Sequence, residues 1–176
     1  MNIPTTCPKT LKRREREIGG KIEEKATESC EQAAKEEWSK TSEGEKGITV
    51  SYDMGWQKRG TGKSYNSLPG IGHMLGHNSG KLVGVCTFSK RCTVCERAKA
   101  RGEQPNHHSC RHNWQGLAKS MEPTGAVNIA NNLQKKGISV ARVIGDDDVT
   151  TISHLRKHVN PDMEKTPDLN HVKKNL

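Results

Sequence analysis

The pattern of apolar and polar positions changes character several times along this chain, and each change predicts an element. Residues 9–46 (KTLKRREREIGGKIEEKATESCEQAAKEEWSKTSEGEK) are rich in Glu, Lys and Ala, and Ile22, Ala26, Ala33 and Trp38 give only a weak helical stripe. This predicts a charged leader over residues 1–46, helical or disordered, with a basic run at residues 12–16 as a candidate arm for DNA or nuclear import. At Gly47 the composition shifts, and Ile48-Thr49-Val50-Ser51-Tyr52 has the β-branched and aromatic character of a strand. A domain over residues 47–176 is expected to start here.

Residues 55–80 are rich in Gly, Ser and Asn, and residues 81–89 (KLVGVCTFS) resume strand character, so two or three antiparallel strands account for 48–89. Turns suffice to explain Gly60, Gly62, Gly70, Gly72 and Gly76, which lack the Gly-Lys-Ser/Thr ending of a phosphate loop. Residues 90–114 break all periodicity. Glu122-Pro123 then opens a helix in which Ala126, Val127, Ile129, Ala130 and Leu133 recur near helical spacing, and Gly137 offers its stop. Residues 138–144 (ISVARVI) read as a strand and 150–158 as a helix ended by Asn160-Pro161; no strand-like run is evident beyond Ile144. The order β, β, β, helix, β, helix predicts an α+β domain.

Composition limits what such a domain can do. A chain of 176 residues fits one domain, but 31% hydrophobic and 3% aromatic residues are meagre for a self-sufficient core, so extra staples are expected. The net charge of +9, from 29 Lys and Arg against 20 Asp and Glu, makes a polyanion the natural partner. The first thirty residues lack an apolar signal core and no apolar run approaches a membrane span, which points to a soluble intracellular protein.

The staple is visible in the aperiodic segment. Cys92 and Cys95 form a Cys-x2-Cys pair followed by a cluster holding His107, His108, Cys110 and His112. Two thiolates from one tight turn and a second distant pair make a tetrahedral zinc site, and without a secretory signal metal binding is favoured over disulfides. Spacing alone leaves the third ligand open among His107, His108 and His112, with Cys86 a weaker substitute. A closed Cys3His set has no open position for substrate, so the zinc is read as structural.

Acids flank this insert. Asp53 directly follows Tyr52 at an expected strand end, and Asp146, Asp147 and Asp148 follow Ile144 and Gly145. Carboxylates at the ends of neighbouring strands can hold divalent metal for phosphoryl transfer, although an Asp after a strand is more often a turn former. Adjacent carboxylates repel one another and call for a cation if they converge.

Several motifs together resemble the Mutator-like transposase domain over roughly residues 46–176. They are Val50-Ser51-Tyr52-Asp53-Met54-Gly55-Trp56-Gln57-Lys58-Arg59-Gly60, Lys90-Arg91-Cys92-x2-Cys95 and His108-x-Cys110-x2-Asn113-Trp114. Met121-Glu122, Gly145-Asp146-Asp147-Asp148 and Asp168-x2-His171-x2-Lys174-Asn175 follow in the same order. The resemblance implies a DDE-type transposase with a partial ribonuclease H-like fold, a mixed sheet with flanking helices, and a zinc-knuckle insertion at about 90–114. It implies DNA as partner, a nuclear location and two Mg2+ or Mn2+ ions at the catalytic acids, with self-association left open. Asp53 matches the first acid and Asp146 the second, with Asp148 as runner-up; Asp168 and His171 match an accessory motif, and His108 becomes the preferred zinc ligand beside Cys92, Cys95 and Cys110.

One departure qualifies the resemblance. The family's third acid, a Glu, lies downstream of the Asp-x2-His element, and Glu164 and Glu122 fall too early in that order. The expectation is therefore a carboxy-terminally truncated domain with little or no strand cleavage of its own, since two ligands position metal poorly. A non-catalytic zinc module that binds nucleic acid or protein is the alternative. Lys58, Arg59, Lys90 and Arg91 are candidate phosphate contacts, joined by Lys63, Lys99 and Arg101, whereas Trp56 and Trp114 are read as core before base-stacking residues.

Overall fold

A computed structural model describes residues 7–57, 67–146 and 149–167. The chain runs α1 (Pro8–Ser39), β1 (Ile48–Trp56), β2 (Pro69–Gly76), β3 (Leu82–Ser89), α2 (Thr93–Ala100), α3 (Met121–Lys135), β4 (Val140–Gly145), α4 (Val149–His158) and β5 (Glu164–Pro167). The five strands form one sheet in the order β3-β2-β1-β4-β5. β1 is antiparallel to β2 and β2 to β3, whereas β4 runs parallel to both β1 and β5. The α+β expectation is met, with helices flanking a mixed sheet.

Alternation on β1 explains how the sheet is covered. Ile48, Val50, Tyr52 and Met54 are buried on one face with Met74 and Phe88, where Ala126, Ile129, Ala130 and Leu133 of α3 pack. The intervening Ser51, Asp53 and Gly55 are half-buried or exposed on the other face, as the period of two requires. Ile71 and Val85, from β2 and β3, also stay exposed.

Four readings from sequence are revised. The strand beyond Ile144, not evident in the pattern, exists: β5 pairs Glu164, Lys165, Thr166 and Pro167 with Arg142, Val143, Ile144 and Gly145. It is short and polar because it forms a sheet edge, so alternation gives no apolar signal there. Residues 90–114 are not wholly irregular, since α2 occupies Thr93–Ala100 with Ala98 buried.

The stripe of α1 also differs from Ile22, Ala26, Ala33 and Trp38. The buried positions are Cys30, Ala33, Ala34 and Glu37, at the i, i+3, i+4, i+7 spacing of one helix face. A wholly buried Glu37 hides in a hydropathy pattern because its carboxylate serves as an acceptor for the β2–β3 turn.

Finally, Gly70, Gly72 and Gly76 lie inside β2 and not in turns. Their face of the sheet meets large side chains: a Cβ on Gly72 would stand 2.7 Å from the Tyr52 hydroxyl, and one on Gly76 would collide with the Glu37 carboxylate. Glycine here permits close approach, which weakens strand propensity but lets the core close over it.

A candidate metal centre and an acidic strand end

The insert between β3 and α3 is held by four side chains. Cys92 precedes α2 as its N-terminal flanking residue and Cys95 stands in its first turn, so one short helix sets two sulfurs at a fixed spacing. The loop after α2 returns His108 and Cys110 to the same point. His108 Nε2 lies 3.2 Å from Cys92 Sγ and 3.4 Å from Cys95 Sγ, and the sulfurs of Cys95 and Cys110 are 3.6 Å apart. All four ligand atoms fall within 4.8 Å of one another.

These separations fit zinc. Zn–S bonds of about 2.3 Å and a Zn–N bond of about 2.0 Å in a tetrahedron put neighbouring ligand atoms roughly 3.5–3.8 Å apart. Nδ1 of His108 is 2.7 Å from the Asn106 carbonyl oxygen, and its N–H donating there leaves Nε2 free as the metal-binding nitrogen. Backbone N–H groups of Cys95 and Arg111 point at the Cys92 sulfur and hold its thiol down at about 5. Cys95 is pushed the other way, to about 11, mainly by sharing hydrogen with Cys110 and by burial. A divalent cation would relieve that contest by taking the place of the shared protons. The set is a Cys3His cluster compatible with zinc binding, and the His left open by spacing is His108; among the described residues it is the one such cluster of three or more Cys, His and acidic groups.

The insert is tied to its surroundings on two sides. Asn113 accepts the Ser89 N–H at 2.7 Å and donates to the Thr87 carbonyl at 2.9 Å, fastening the loop to β3. Arg111 forms an ion pair with Glu23 of α1 at 2.8 Å. Trp114 packs edge-on against Phe88 with ring centroids 4.9 Å apart and donates its indole N–H to the Leu117 carbonyl. Trp56 and Trp114 both rest partly buried against the hydrophobic core, as the core reading expects.

The acids lie on the central strand β1 and just past the end of its parallel neighbour β4. Asp53 is not at a strand end, because β1 continues to Trp56 and pairs Asp53 with His73 of β2. The tyrosine-aspartate boundary misleads because β1 outlasts its parallel partner: pairing with β4 stops at Ser51 and Ile144. Asp53 and Asp146 each lie two residues beyond that last pair, on adjacent parallel strands heading the same way. Both are exposed.

Beside them, Tyr52 donates its hydroxyl to the Glu122 carbonyl at 2.8 Å. Burial pushes the Tyr52 hydroxyl well above its ordinary range, with the negative charges of Cys86, Glu122 and Asp53 adding to it. Glu122, from the first turn of α3, and Asp146 line the same small pocket with Tyr52, Thr151 and Lys165. Order along the chain argues against Glu122 as a partner of Asp146; only the docking of α3 on the sheet, held by the Tyr52–Glu122 bond, puts both on one pocket.

Among the candidate phosphate contacts, Arg91 is engaged at 2.6 Å by both carboxylate oxygens of Glu96, and Lys90 is half-buried. Lys99 and Arg101 are exposed on and just after α2, Arg101 pairing with Glu103. Lys58, Arg59, Lys63, Asp147, Asp148, Asp168 and His171 lie outside the described residues. No described helix is long and apolar enough to cross a membrane.

A family model described as Mutator-like transposase matches residues 1–176, so the match takes in the leader that the motif comparison left out. No curated protein and no solved structure matches the chain.

Proposed function

The chain belongs to the Mutator-like transposase family, and from that premise we propose that it carries part of a DNA-strand-transfer centre in a ribonuclease H-like fold, stapled by zinc. The observation that carries the reading is the position of Asp53 and Asp146, each two residues past the Ser51–Ile144 pair where the parallel pairing of β1 and β4 ends. The strand order β3-β2-β1-β4-β5, with β1, β4 and β5 parallel, supports the fold assignment.

In this reading Asp53 and Asp146 hold the divalent cations, Mg2+ or Mn2+, while Cys92, Cys95, His108 and Cys110 hold zinc. Bound Mg2+ or Mn2+ would supply Lewis-acid stabilisation of the charge developing on a phosphodiester. Asp53 presents its carboxylate on the exposed face of β1, where that charge would be held. The buried Tyr52 hydroxyl fixes the first turn of α3, and so the height of Glu122, beside Asp146. Basic residues of the insert, Lys99 and Arg101 among them, meet the DNA backbone, and the family supports action in the nucleus. Asp168 and His171 take the accessory role that the family motif assigns them.

Carboxylates so placed bind divalent metal, so Mn2+ binding and metal-dependent contact with DNA are expected. The test combines Mn2+ titration followed by paramagnetic relaxation with a duplex nicking assay. Asp53→Ala and Asp146→Ala should each weaken Mn2+ binding while zinc content stays constant. Unchanged Mn2+ binding in both variants would remove the acidic pair from the function. Nicking abolished by Asp53→Ala would support the strand-transfer reading, and its loss in Glu122→Gln would identify a third carboxylate.

The same residues also support a second reading, a zinc-bearing module that binds nucleic acid without cleaving it. The closed Cys3His cluster with exposed cations beside it favours this. Salt-sensitive DNA binding that survives both Asp substitutions but is lost on zinc chelation distinguishes it.

A further inference from the structure

Among the described residues, little besides the Glu23–Arg111 ion pair ties the first two-thirds of α1 to the rest of the chain. Burial described on this helix begins at Cys30, and before it Leu11, Ile18 and Ile22 remain 53%, 49% and 62% exposed. They follow at intervals of seven and four, which puts them on one face, and that face leads into the stripe that docks Cys30, Ala33 and Glu37 on the sheet. Gly19 and Gly20 sit at the centre of the exposed stretch, with nothing within 4 Å of either Cβ position. Each glycine costs a helix roughly 1 kcal/mol relative to alanine, and a helix without packing has little to offset it.

Charge along this stretch is arranged in blocks. Residues 9–14 carry Lys9, Lys12, Arg13 and Arg14 with no acid, whereas residues 23–31 carry four glutamates and one lysine. Glu23 and Glu31 are tied to Arg111 and Lys136 of the same chain, so the acidic block lies where the helix reaches its own domain. A helix with a basic first block and an acidic second block complements a second copy of itself laid antiparallel, and repels one laid parallel.

We propose that α1 pairs with α1 of a second copy of this chain in an antiparallel arrangement centred on Gly20. Residues whose numbers sum to 40 then oppose each other. Ile18 meets the other copy's Ile22 twice over, the glycines let the two backbones approach, and each basic block lies over the other copy's acidic block.

The test is the oligomeric state of the zinc-loaded full chain, by light scattering and sedimentation. A dimer is expected, weakened by salt and converted to monomer by Ile18→Lys with Ile22→Lys, whose exposed positions leave the sheet intact. Orientation is read by mixing a Leu11→Cys chain with a Ser29→Cys chain, both in a Cys7→Ser background. A mixed disulfide supports the antiparallel pair, and Leu11→Cys chains linking to themselves would overturn it. A dimer that persists in the double-lysine variant would also overturn the proposal. So would a monomeric wild type whose residues 9–14 instead bind duplex DNA, with affinity lost when all four cations are replaced by Gln.

Discussion

The Glu37 carboxylate of α1 accepts the backbone N–H of Ser79 at 2.7 Å, and that of Asn78 at 2.9 Å, from a wholly buried position. This pair locks the β2–β3 turn onto the leader helix. Hydrogen bonds to a carboxylate contribute about 1.5–3 kcal/mol. Glu37→Ala should therefore lower unfolding free energy by about 3 kcal/mol in urea titration, and Glu37→Gln by less. A loss below about 0.5 kcal/mol for Glu37→Ala would show that the turn does not depend on this acceptor.

Glycine at position 125 faces the Tyr52 hydroxyl so closely that an added Cβ would lie 2.7 Å from it and 2.8 Å from Cys86 Sγ. Overpacking of this kind costs about 1–3 kcal/mol. Gly125→Ala should reduce thermal stability accordingly, whereas Tyr52→Phe, which removes the hydroxyl's bonds to the Glu122 carbonyl and the Ala126 N–H, should cost about 1 kcal/mol. A Gly125→Ala chain as stable as the wild type would contradict the packing described.

Zinc content separates the cysteines into two sets. One zinc per chain is expected by dye-release assay, lost in Cys92→Ser and retained in Cys30→Ser and Cys7→Ser. Chelation should disorder the amide signals of residues 90–114 while the sheet signals persist, because the strands bury their own core. Global unfolding on chelation would mean that the metal holds the whole domain together.

Glu36 receives hydrogen bonds from Lys40 at 2.7 Å and Lys81 at 2.6 Å, which lower its carboxyl from the usual 4.5 to about 2. A lowered folded-state value stabilises the protein above the unfolded-state value, and that stabilisation is lost as pH falls through the window from 4.5 to 2. The difference in melting temperature between wild type and Glu36→Gln should be small and positive at pH 7 and vanish near pH 2. A difference that grows on acidification would reverse the sign and refute the pairing.

The legibility of this chain varied with the kind of signal. Ile48–Tyr52, the 126–133 helical spacing and residues 138–144 announced their elements because each buries a face and must alternate accordingly. β2 stayed hidden because its inward face is largely glycine, and β5 because an edge strand buries little. The Cys92-x2-Cys95 pair was readable by spacing, whereas the choice of His108 over its neighbours came from the family resemblance and is matched by the loop geometry.

By itself the sequence determined the α+β class, the cysteine cluster and the order of acids, since each depends on residue type and local spacing. Tertiary structure alone decided that Asp53 and Asp146 sit in step on adjacent strands, that Glu122 reaches the same pocket as Asp146, and that Glu37 is a core residue. Those relations depend on the register between distant segments. Register is set by the packing of whole faces, and no local pattern carries it.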